Sequence, residues 1–295
     1  MTDGAAVRKP LTGGRAIGWS IAFLLLGFAL TILFYSLFSV LRFGSVGGGT
    51  TGPNATGVAY IVAAGWSQLL GFGLATWIIG VRVLGLGAAD LRWRGHGRGG
   101  RGFAVGLALG GIAALAALLL AVPAGGGWTA DRGGAGDYLA RVGITAAALA
   151  GPALSEEVAF RGVPLVLLAL VFGRWPALVA LALLFAVAHA VNPNATVFGL
   201  ANIALAGILL GVAFFAPGGI WTAFGAHLGW NAALAAADAP VSGMPFSIPF
   251  IDHHPGAPAW LTGGAFGPEG GLTAPVALAA ATLVVARWAR KGATA

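Results

Sequence analysis

Long apolar segments, separated by short polar or glycine-rich stretches, follow one another along almost the whole chain. Most of them come close to or exceed the roughly 20 residues that an α-helix needs to cross a hydrocarbon core. The pattern predicts an all-α fold, a polytopic membrane bundle of about eight transmembrane helices. Their predicted ranges are 17–41, 57–80, 103–122, 142–172, 175–190, 197–215, 220–237 and 272–288.

The fourth segment, 142–172, differs from the others because it contains Gly151-Pro152 and then a charged cluster, Glu156, Glu157 and Arg161. Proline removes a backbone donor and clashes with the preceding turn, so a kink or break is expected at Pro152. A charged side chain at the centre of a bilayer costs about 2.5–3.5 kcal/mol even on the most lenient scale. The cluster therefore predicts a functional site at membrane depth.

Composition agrees with a membrane protein. Of the 295 residues, 58% are hydrophobic and 8% are charged. In soluble domains roughly a quarter of all residues are charged. The absence of cysteine excludes disulfides and thiolate chemistry. The net charge of +7 does not indicate a nucleic-acid partner, because the basic residues gather at the ends of apolar segments, where they act as topology signals.

The distribution of basic residues predicts the orientation of the bundle. With eight crossings, twelve of the 16 Lys and Arg residues lie on the side of the two termini and three lie on the other side. Because cytoplasmic loops are enriched in Lys and Arg, we expect both termini in the cytoplasm, and we expect the plasma membrane of a prokaryote. The twelve are Arg8, Lys9, Arg15, Arg82, Arg92, Arg94, Arg98, Arg101, Arg174, Arg287, Arg290 and Lys291.

Two glycine patterns predict close helix packing: Gly102, Gly106 and Gly110 in the third segment, and Gly207 with Gly211 in the sixth. Small residues four apart let helix backbones approach each other. The spacings permit pairing within the chain or between copies, so the oligomeric state stays open.

Within the charged cluster, Glu157 and Arg161 are four residues apart and share a helix face, which suits an ion pair. Glu156 lies about 100° away around the helix and faces elsewhere. One carboxylate can thus be held by the arginine while the other is free for chemistry. A purely structural ion-pair network between helices is the alternative.

Three further polar residues lie in later apolar segments. His189 ends the fifth segment, and on its own it fits an interfacial histidine at a helix end. His227 and Asn231 are four residues apart in the seventh segment, so they share a face and indicate a polar cavity. A carboxylate can deprotonate water. Two imidazoles and an amide can bind a metal or stabilise an oxyanion, and either route hydrolyses an amide bond.

At these residues the chain resembles the CPBP family, also called the Abi family, which comprises type II CAAX prenyl endopeptidases and bacteriocin-processing membrane proteins. The family pattern is Glu-Glu-x-x-x-Arg, then Phe-x-x-x-His, then His-x-x-x-Asn or Asp. The same order is present here, from Glu156-Glu157 to Arg161, from Phe185 to His189, and from His227 to Asn231. The resemblance spans about 138–237, which leaves 1–137 as amino-terminal helices and loops, and 238–295 as an outer loop and a final helix.

The resemblance implies an intramembrane protease fold with a conical cavity that opens to the cytoplasm and the bilayer. It implies that Glu156 activates water, that His189, His227 and Asn231 orient the water or stabilise the oxyanion, and that Glu157 and Arg161 support them. Phe185 is then a packing residue. No cofactor is certain. A zinc ion, if one is bound, would be held by Glu156, His189 and His227. The implied substrate is a membrane-embedded or lipidated peptide, such as a prenylated CAAX-type peptide.

Two other functions remain open from the residues alone. The same fold could serve as a non-catalytic membrane partner in immunity or regulation. It could also be a proton-coupled transporter, because intramembrane Glu and His mark ion paths. The segment 238–270, which contains Asp252, His253, His254 and Glu269, is predicted to be a surface loop on the non-cytoplasmic side. A metal site at His253 and His254 is the alternative for this loop.

Overall fold

The computed structural model describes residues 11–43, 58–93 and 98–293. Arg8, Lys9 and Arg94, three of the predicted inner basic residues, lie outside this part of the chain, as does the first residue of the predicted segment 57–80. The α-helices of the described part are α1 Gly13–Phe43, α2 Val58–Ala75, α3 Gly99–Ala121, α4 Ala135–Arg161, α5 Val163–Phe172, α6 Arg174–Ala188, α7 Val197–Phe215, α8 Ile220–Ala236, α9 Ala259–Thr262 and α10 Thr273–Ala293. A π-helical stretch, Thr76–Val83, continues α2.

The bundle is helical as predicted, with one small addition. Two four-residue strands, β1 Gly127–Ala130 and β2 Ile251–His254, pair antiparallel with Gly127 opposite His254. Within the described residues, four stretches are long and apolar enough to cross a membrane: Gly13–Leu41, Tyr60–Val83, Gly99–Ala124 and Val197–Phe215. The chain is therefore an integral membrane protein with a helical bundle. Eight crossings stay a prediction.

The fourth predicted segment breaks at Gly162 and not at Pro152, and a kink at Pro152 stays a prediction. Helix α4 runs through Pro152 and ends at Arg161, and α5 begins at Val163. Pro164 lies in the first turn of α5, where it lacks only an N–H that would have no helical partner, so a new helix can begin just before it. Gly162 joins the two helices with backbone angles outside the helical region.

The glycines of α3 make the contact with α8, as their spacing predicts. A Cβ atom on Gly106 would meet the backbone of Thr222 and Ala226, and one on Gly110 would meet Ala226 again. The glycines of α8 do the same in return, with Gly225 against the backbone of Phe103. Only hydrogen at these positions allows the two backbones to touch, so α8 is held against α3 along its length.

The second glycine pattern packs α7 against α6. A Cβ on Gly207 would lie 2.9 Å from the Cα of Ala182, and one on Gly211 would lie 2.7 Å from the Cγ of Leu178. Helix α6 carries Phe185, and His189 follows its last residue. Both glycine patterns are therefore used inside the chain, where they position the helices that carry the candidate site residues.

Contacts between connecting segments agree with the predicted sides of the bundle. The guanidinium of Arg92, in the loop before α3, donates to the main-chain oxygens of Phe214 and Ala216 at the end of α7, at 2.8 and 3.0 Å. Both segments are predicted on the inner side. On the predicted outer side, β1 and β2 bring the connections 122–134 and 237–272 together. Each pairing joins segments that are predicted on the same side of the bundle, and the orientation of the bundle stays a prediction.

The segment 238–270 is not simply a surface loop, which corrects the expectation. Ser242, Phe266 and Glu269 are buried, and the segment contains β2, α9 and two short 3₁₀ turns. Its buried residues pack onto the ends of α7 and α8. The prediction treated the segment as exposed because its Pro and Gly content hides any apolar period.

Candidate active site

The site lies where α4, α6 and α8 meet around a cavity of about 340 Å³. Four of its lining residues are the predicted catalytic side chains, Glu156, His189, His227 and Asn231. They come from three helices that are far apart in sequence, so the fold brings together what the motifs predicted as a set. Apolar side chains of α1, α2, α7 and α10 complete the wall: Phe28, Ile61, Ile203, Leu209 and Leu278.

Glu156 faces both histidines. Its Oε2 atom lies 3.7 Å from Nε2 of His227 and 3.9 Å from Nε2 of His189. Neither distance is a hydrogen bond, and within the described part of the chain this oxygen is buried without a partner. The side chain keeps 22% of its surface exposed, towards the cavity. A buried carboxylate oxygen with no bonded partner, facing two imidazole nitrogens, forms a polar pocket that suits a water molecule or a substrate atom.

Glu157 has a different environment, although it is the adjacent residue. It is fully buried, and its Oε1 accepts hydrogen bonds from Nδ1 of His227 at 2.8 Å and from Nη1 of Arg161 at 3.1 Å. The predicted ion pair between Glu157 and Arg161 is therefore present. Glu156 lines the cavity and Glu157 lies behind it, so the two carboxylates occupy different positions, and their separate roles stay a prediction.

Arg161 contacts residues of α4, α6 and α7. Its Nη2 donates to the main-chain oxygen of Gly207 in α7 at 3.2 Å, and its Cζ lies 4.5 Å from the centre of the Phe185 ring. Gly207 has no side chain, so its carbonyl is accessible to the guanidinium. Arg161 thus links α4 to α7 and α6 while it neutralises Glu157.

Phe185 occupies the space behind the two imidazoles. Its ring contacts the rings of Phe160, His189 and His227, with centroids 5.2, 4.5 and 6.0 Å away. It has no group that could donate or accept a proton, and its contacts are those of a packing residue. Its main-chain oxygen also accepts a hydrogen bond from Nδ1 of His189 at 2.8 Å.

These bonds determine which imidazole nitrogens face the cavity. Nδ1 of His189 donates to a carbonyl, and Nδ1 of His227 donates to a carboxylate, so each histidine presents Nε2 to Glu156. A neutral imidazole of this tautomer accepts a proton or a hydrogen bond at Nε2. A protonated imidazole donates there. The fixed Nδ1 bonds therefore make Nε2 the reactive atom of both rings.

His189 directly follows α6, a helix of 15 residues. Its Nε2 atom lies 3.9 Å from Oε2 of Glu156, so the end of α6 is close to the middle of the charged cluster of α4.

A metal ion fits these residues poorly. In the part of the chain that the structure describes, no group of three or more His, Cys, Asp or Glu side chains is arranged so that it could hold a metal ion. This holds for Glu156, His189 and His227, and also for His253 and His254. Asn231 adds an amide, which is a weak ligand for zinc.

The cavity also has polar lining residues that the motifs did not include. Gln68 of α2 lines it, and its Oε1 lies 2.9 Å from Oγ of Ser155, the residue before Glu156. Ser242 and Glu269 line it from the outer segment. Gln68 is an isolated polar residue in an apolar helix, a signal that could have been used. Glu269 lies in an irregular segment, where no periodicity points to burial.

The comparisons with known proteins agree with the motifs. No curated protein and no solved structure matches the chain. One family model does match, and it covers about a third of the chain, including all three motifs. The resemblance is confirmed there: residues 139–233 are an Rce1-like region, described as type II CAAX prenyl endopeptidase Rce1-like.

Proposed function

We propose that this protein is an intramembrane endopeptidase that hydrolyses a peptide bond in a membrane-anchored substrate, with a prenylated CAAX-type peptide as the first candidate. The family match supports a protease in general. The observation that carries the finer proposal is the Oε2 atom of Glu156, which is unpartnered within the described part of the chain and faces Nε2 of two histidines in the cavity. We further propose that the enzyme resides in the plasma membrane of a prokaryote with both termini in the cytoplasm.

In the proposed reaction Glu156 is the general base. A water molecule bound between Glu156 and His189 donates one hydrogen to Oε2 of Glu156 and the other to Nε2 of His189, whose Nδ1–H is committed to Phe185. Glu156 takes the proton as the water oxygen attacks the scissile carbonyl. A positioned base of this kind contributes roughly 10²- to 10⁴-fold to the rate.

The oxyanion that forms needs donors on the other side of the cavity. The side-chain amide of Asn231 and Nε2–H of a protonated His227 supply them, and these residues lie one turn apart on the same face of α8. Glu156, Glu157 and Arg161 carry charges of −1, −1 and +1, so an imidazolium at His227 brings the sum to zero. As the tetrahedral intermediate collapses, the C–N bond breaks and Glu156 returns its proton to the leaving amine.

The test is turnover by the purified protein of fluorogenic peptides with and without a prenyl group. Glu156→Gln should lower turnover by at least about 100-fold. Asp137→Asn is the matched control, because it removes an exposed carboxylate from the first turn of the same helix. Activity that resists a chelator would support chemistry by side chains and water. Full activity of Glu156→Gln would rule out Glu156 as the base.

A phenotype that survives Glu156→Gln in cells would favour the non-catalytic membrane partner instead. Cleavage of the prenylated peptide but not of its unmodified form would define the substrate class. Equal cleavage of both would leave the protease activity and remove the prenyl requirement.

A further inference from the structure

Glu269 is a buried carboxylate that lines the active-site cavity from outside the Rce1-like region. Its side chain is 5% exposed. Oε1 accepts from Nε1 of Trp230 at 3.0 Å, and Oε2 accepts from the main-chain N–H and the Oγ–H of Ser242. A carboxylate with three donors is well held, and hydrogen bonds to a charged group are the stronger ones.

The three donors connect Glu269 to the catalytic helices. Trp230 precedes Asn231 on α8, so its bond fixes the turn that carries the proposed oxyanion donor. The main-chain oxygen of Ser242 accepts from Nδ2 of Asn192 at 3.1 Å, and the N–H of Asn192 donates to the main-chain oxygen of His189. One continuous set of hydrogen bonds thus runs from the end of α6 through Ser242 and Glu269 to α8.

Helix α7 is attached to the same point through the main chain. Nδ2 of Asn202, which is buried, donates to the carbonyl oxygens of Glu269 and Gly271 at 2.8 and 2.9 Å. The turn at Ser242 and Gly243 has positive φ at both residues, and a Cβ on Gly243 would collide with the carbonyl oxygen of Pro193. The segment is therefore seated tightly on the connection that follows His189.

We propose that Glu269 is a positioning residue of the catalytic site: it clamps the segment after α8 onto the cavity and holds the helix ends that carry His189 and Asn231 at their working separation. This inference rests on the proposed function for its effect on turnover. The clamp itself does not, because it is a property of the resting protein. The Rce1-like region ends at residue 233, and Glu269 follows it in the chain. The clamp is therefore formed by a residue outside that region.

Two observations separate this role from ordinary packing. Burial raises the pKa of Glu269 above its ordinary value, and the bonds from Ser242 and Trp230 only partly offset this effect. Burying this carboxylate therefore costs free energy that an apolar residue of the same volume would not. His189 is also close enough to act electrostatically on the same carboxyl group. A costly charge that bonds to the neighbours of two catalytic residues is expected to determine their geometry.

The first test reports on the clamp without any turnover. The chain has no cysteine, so a single Val241→Cys change supplies a unique thiol in the clamped segment, at a position only 2% exposed. We expect its reaction with a maleimide to be about tenfold faster after Glu269→Gln, because the lost bonds to a charged group favour local opening. Asp238→Asn is the matched control, since its carboxylate holds Ile248 and His253 of the same segment rather than the cavity.

The second test measures the steady-state kinetics of Glu269→Gln without the reporter cysteine. Misplaced catalytic groups lower kcat, and we expect a fall of about 10- to 100-fold with KM changed less than about twofold. Thermal unfolding in detergent identifies any variant that fails to fold. If Glu269→Gln fails to fold, Ser242→Ala is the milder variant, because it removes only one of the three donors. We expect it also to give faster labelling and a lower kcat.

Equal labelling rates with and without Glu269→Gln would overturn the clamp, and so would faster labelling with unchanged kcat. If the unmodified protein cleaves no peptide, the proposed function fails and the labelling rates decide the clamp alone. Faster labelling in Glu269→Gln but not in Asp238→Asn then supports it.

Discussion

Nδ1 of His227 donates to Oε1 of Glu157 at 2.8 Å, while Nε2 of the same ring faces Oε2 of Glu156 at 3.7 Å. One imidazole therefore lies between two adjacent carboxylates with different surroundings. Glu157 is fully buried and bonded to Arg161, and Glu156 opens to the cavity. Two neighbouring residues of one type thus have separate environments, because a helix turns their side chains about 100° apart.

This arrangement predicts that the two glutamates respond differently to the same substitution. Glu157→Gln leaves Arg161 buried without its charged partner, and breaking such a pair costs about 3–5 kcal/mol. We expect a marked fall in the thermal midpoint in detergent together with a loss of activity. Glu156→Gln changes a side chain whose buried Oε2 has no hydrogen-bond partner in the described part of the chain, so we expect loss of activity at an unchanged midpoint.

The comparison needs both midpoints and both activities from one preparation. The control for general damage is Arg161→Lys, which keeps the charge but cannot reach Glu157 and Gly207 together with a planar fork. Its midpoint should lie between those of the two glutamine variants. Equal midpoints for Glu156→Gln and Glu157→Gln would contradict the division of roles.

A second prediction concerns the contact between α3 and α8. Gly110→Ala places a methyl group against the main chain of Ala226, one residue before His227, so α8 must shift. Overpacking of this kind costs about 1–3 kcal/mol, and we expect reduced stability and reduced turnover.

Gly111→Ala is the matched control on the same helix, because the added methyl group has its nearest neighbour 3.6 Å away, an ordinary contact. Alanine is favoured over glycine in a helix by up to about 1 kcal/mol, so this variant should be as stable as the parent or more stable. The measurement is the thermal midpoint of both variants beside peptide cleavage. Reversal of their order would mean that α3 and α8 are not in backbone contact.

Several parts of the structure could be predicted from the sequence because they depend on local spacing. Residues four apart share a helix face, which gives the bond between Glu157 and Arg161 and the common face of His227 and Asn231. Glycines four apart predicted the close contact of α3. The membrane class follows from composition, and the motif order led to the family that the comparison confirmed over 139–233.

Other features could not be predicted, for reasons that lie outside any single segment. The break at Gly162 was missed because Pro152 was taken as the stronger signal, although Gly162 with Pro164 two residues later is a regular helix end. The depth of His189 depends on where α6 begins relative to α4, which is a tertiary property. Glu269 is buried by contacts with Trp230, Ser242 and Asn202, and all three of these residues are far from it in the sequence.

A third prediction addresses the strand that carries His253 and His254. Ring contact with Trp128 and a 2.8 Å bond between His254 and Thr129 account for both side chains, so they serve the small sheet. Burial and the neighbouring His254 lower the pKa of His253, which keeps it neutral at pH 7. Replacing both by alanine should leave turnover and bound zinc unchanged and lower stability by about 0.5–1 kcal/mol. Elemental analysis of purified protein is the measurement, and a drop in zinc per chain would restore the metal interpretation.

The last prediction is a pH dependence of stability caused by Glu269. Burial raises the pKa of Glu269 above its ordinary value near 4.5, so the folded state holds the proton more tightly than the unfolded state. The contribution of Glu269 to stability is therefore fully present below pH 4.5 and is lost as the pH rises through the folded pKa. The difference in thermal midpoint between the parent and Glu269→Gln should be largest near pH 4 and should shrink towards pH 8.

Of the charged or titratable groups around Glu269, His189 is the one that acts on it, while Trp230 and Ser242 are neutral donors. Repeating the comparison in a His189→Gln background removes the electrostatic effect of the imidazole on Glu269 and should leave the direction of the trend unchanged. A difference that grows with pH would mean that the three hydrogen bonds outweigh burial and lower the folded pKa below 4.5.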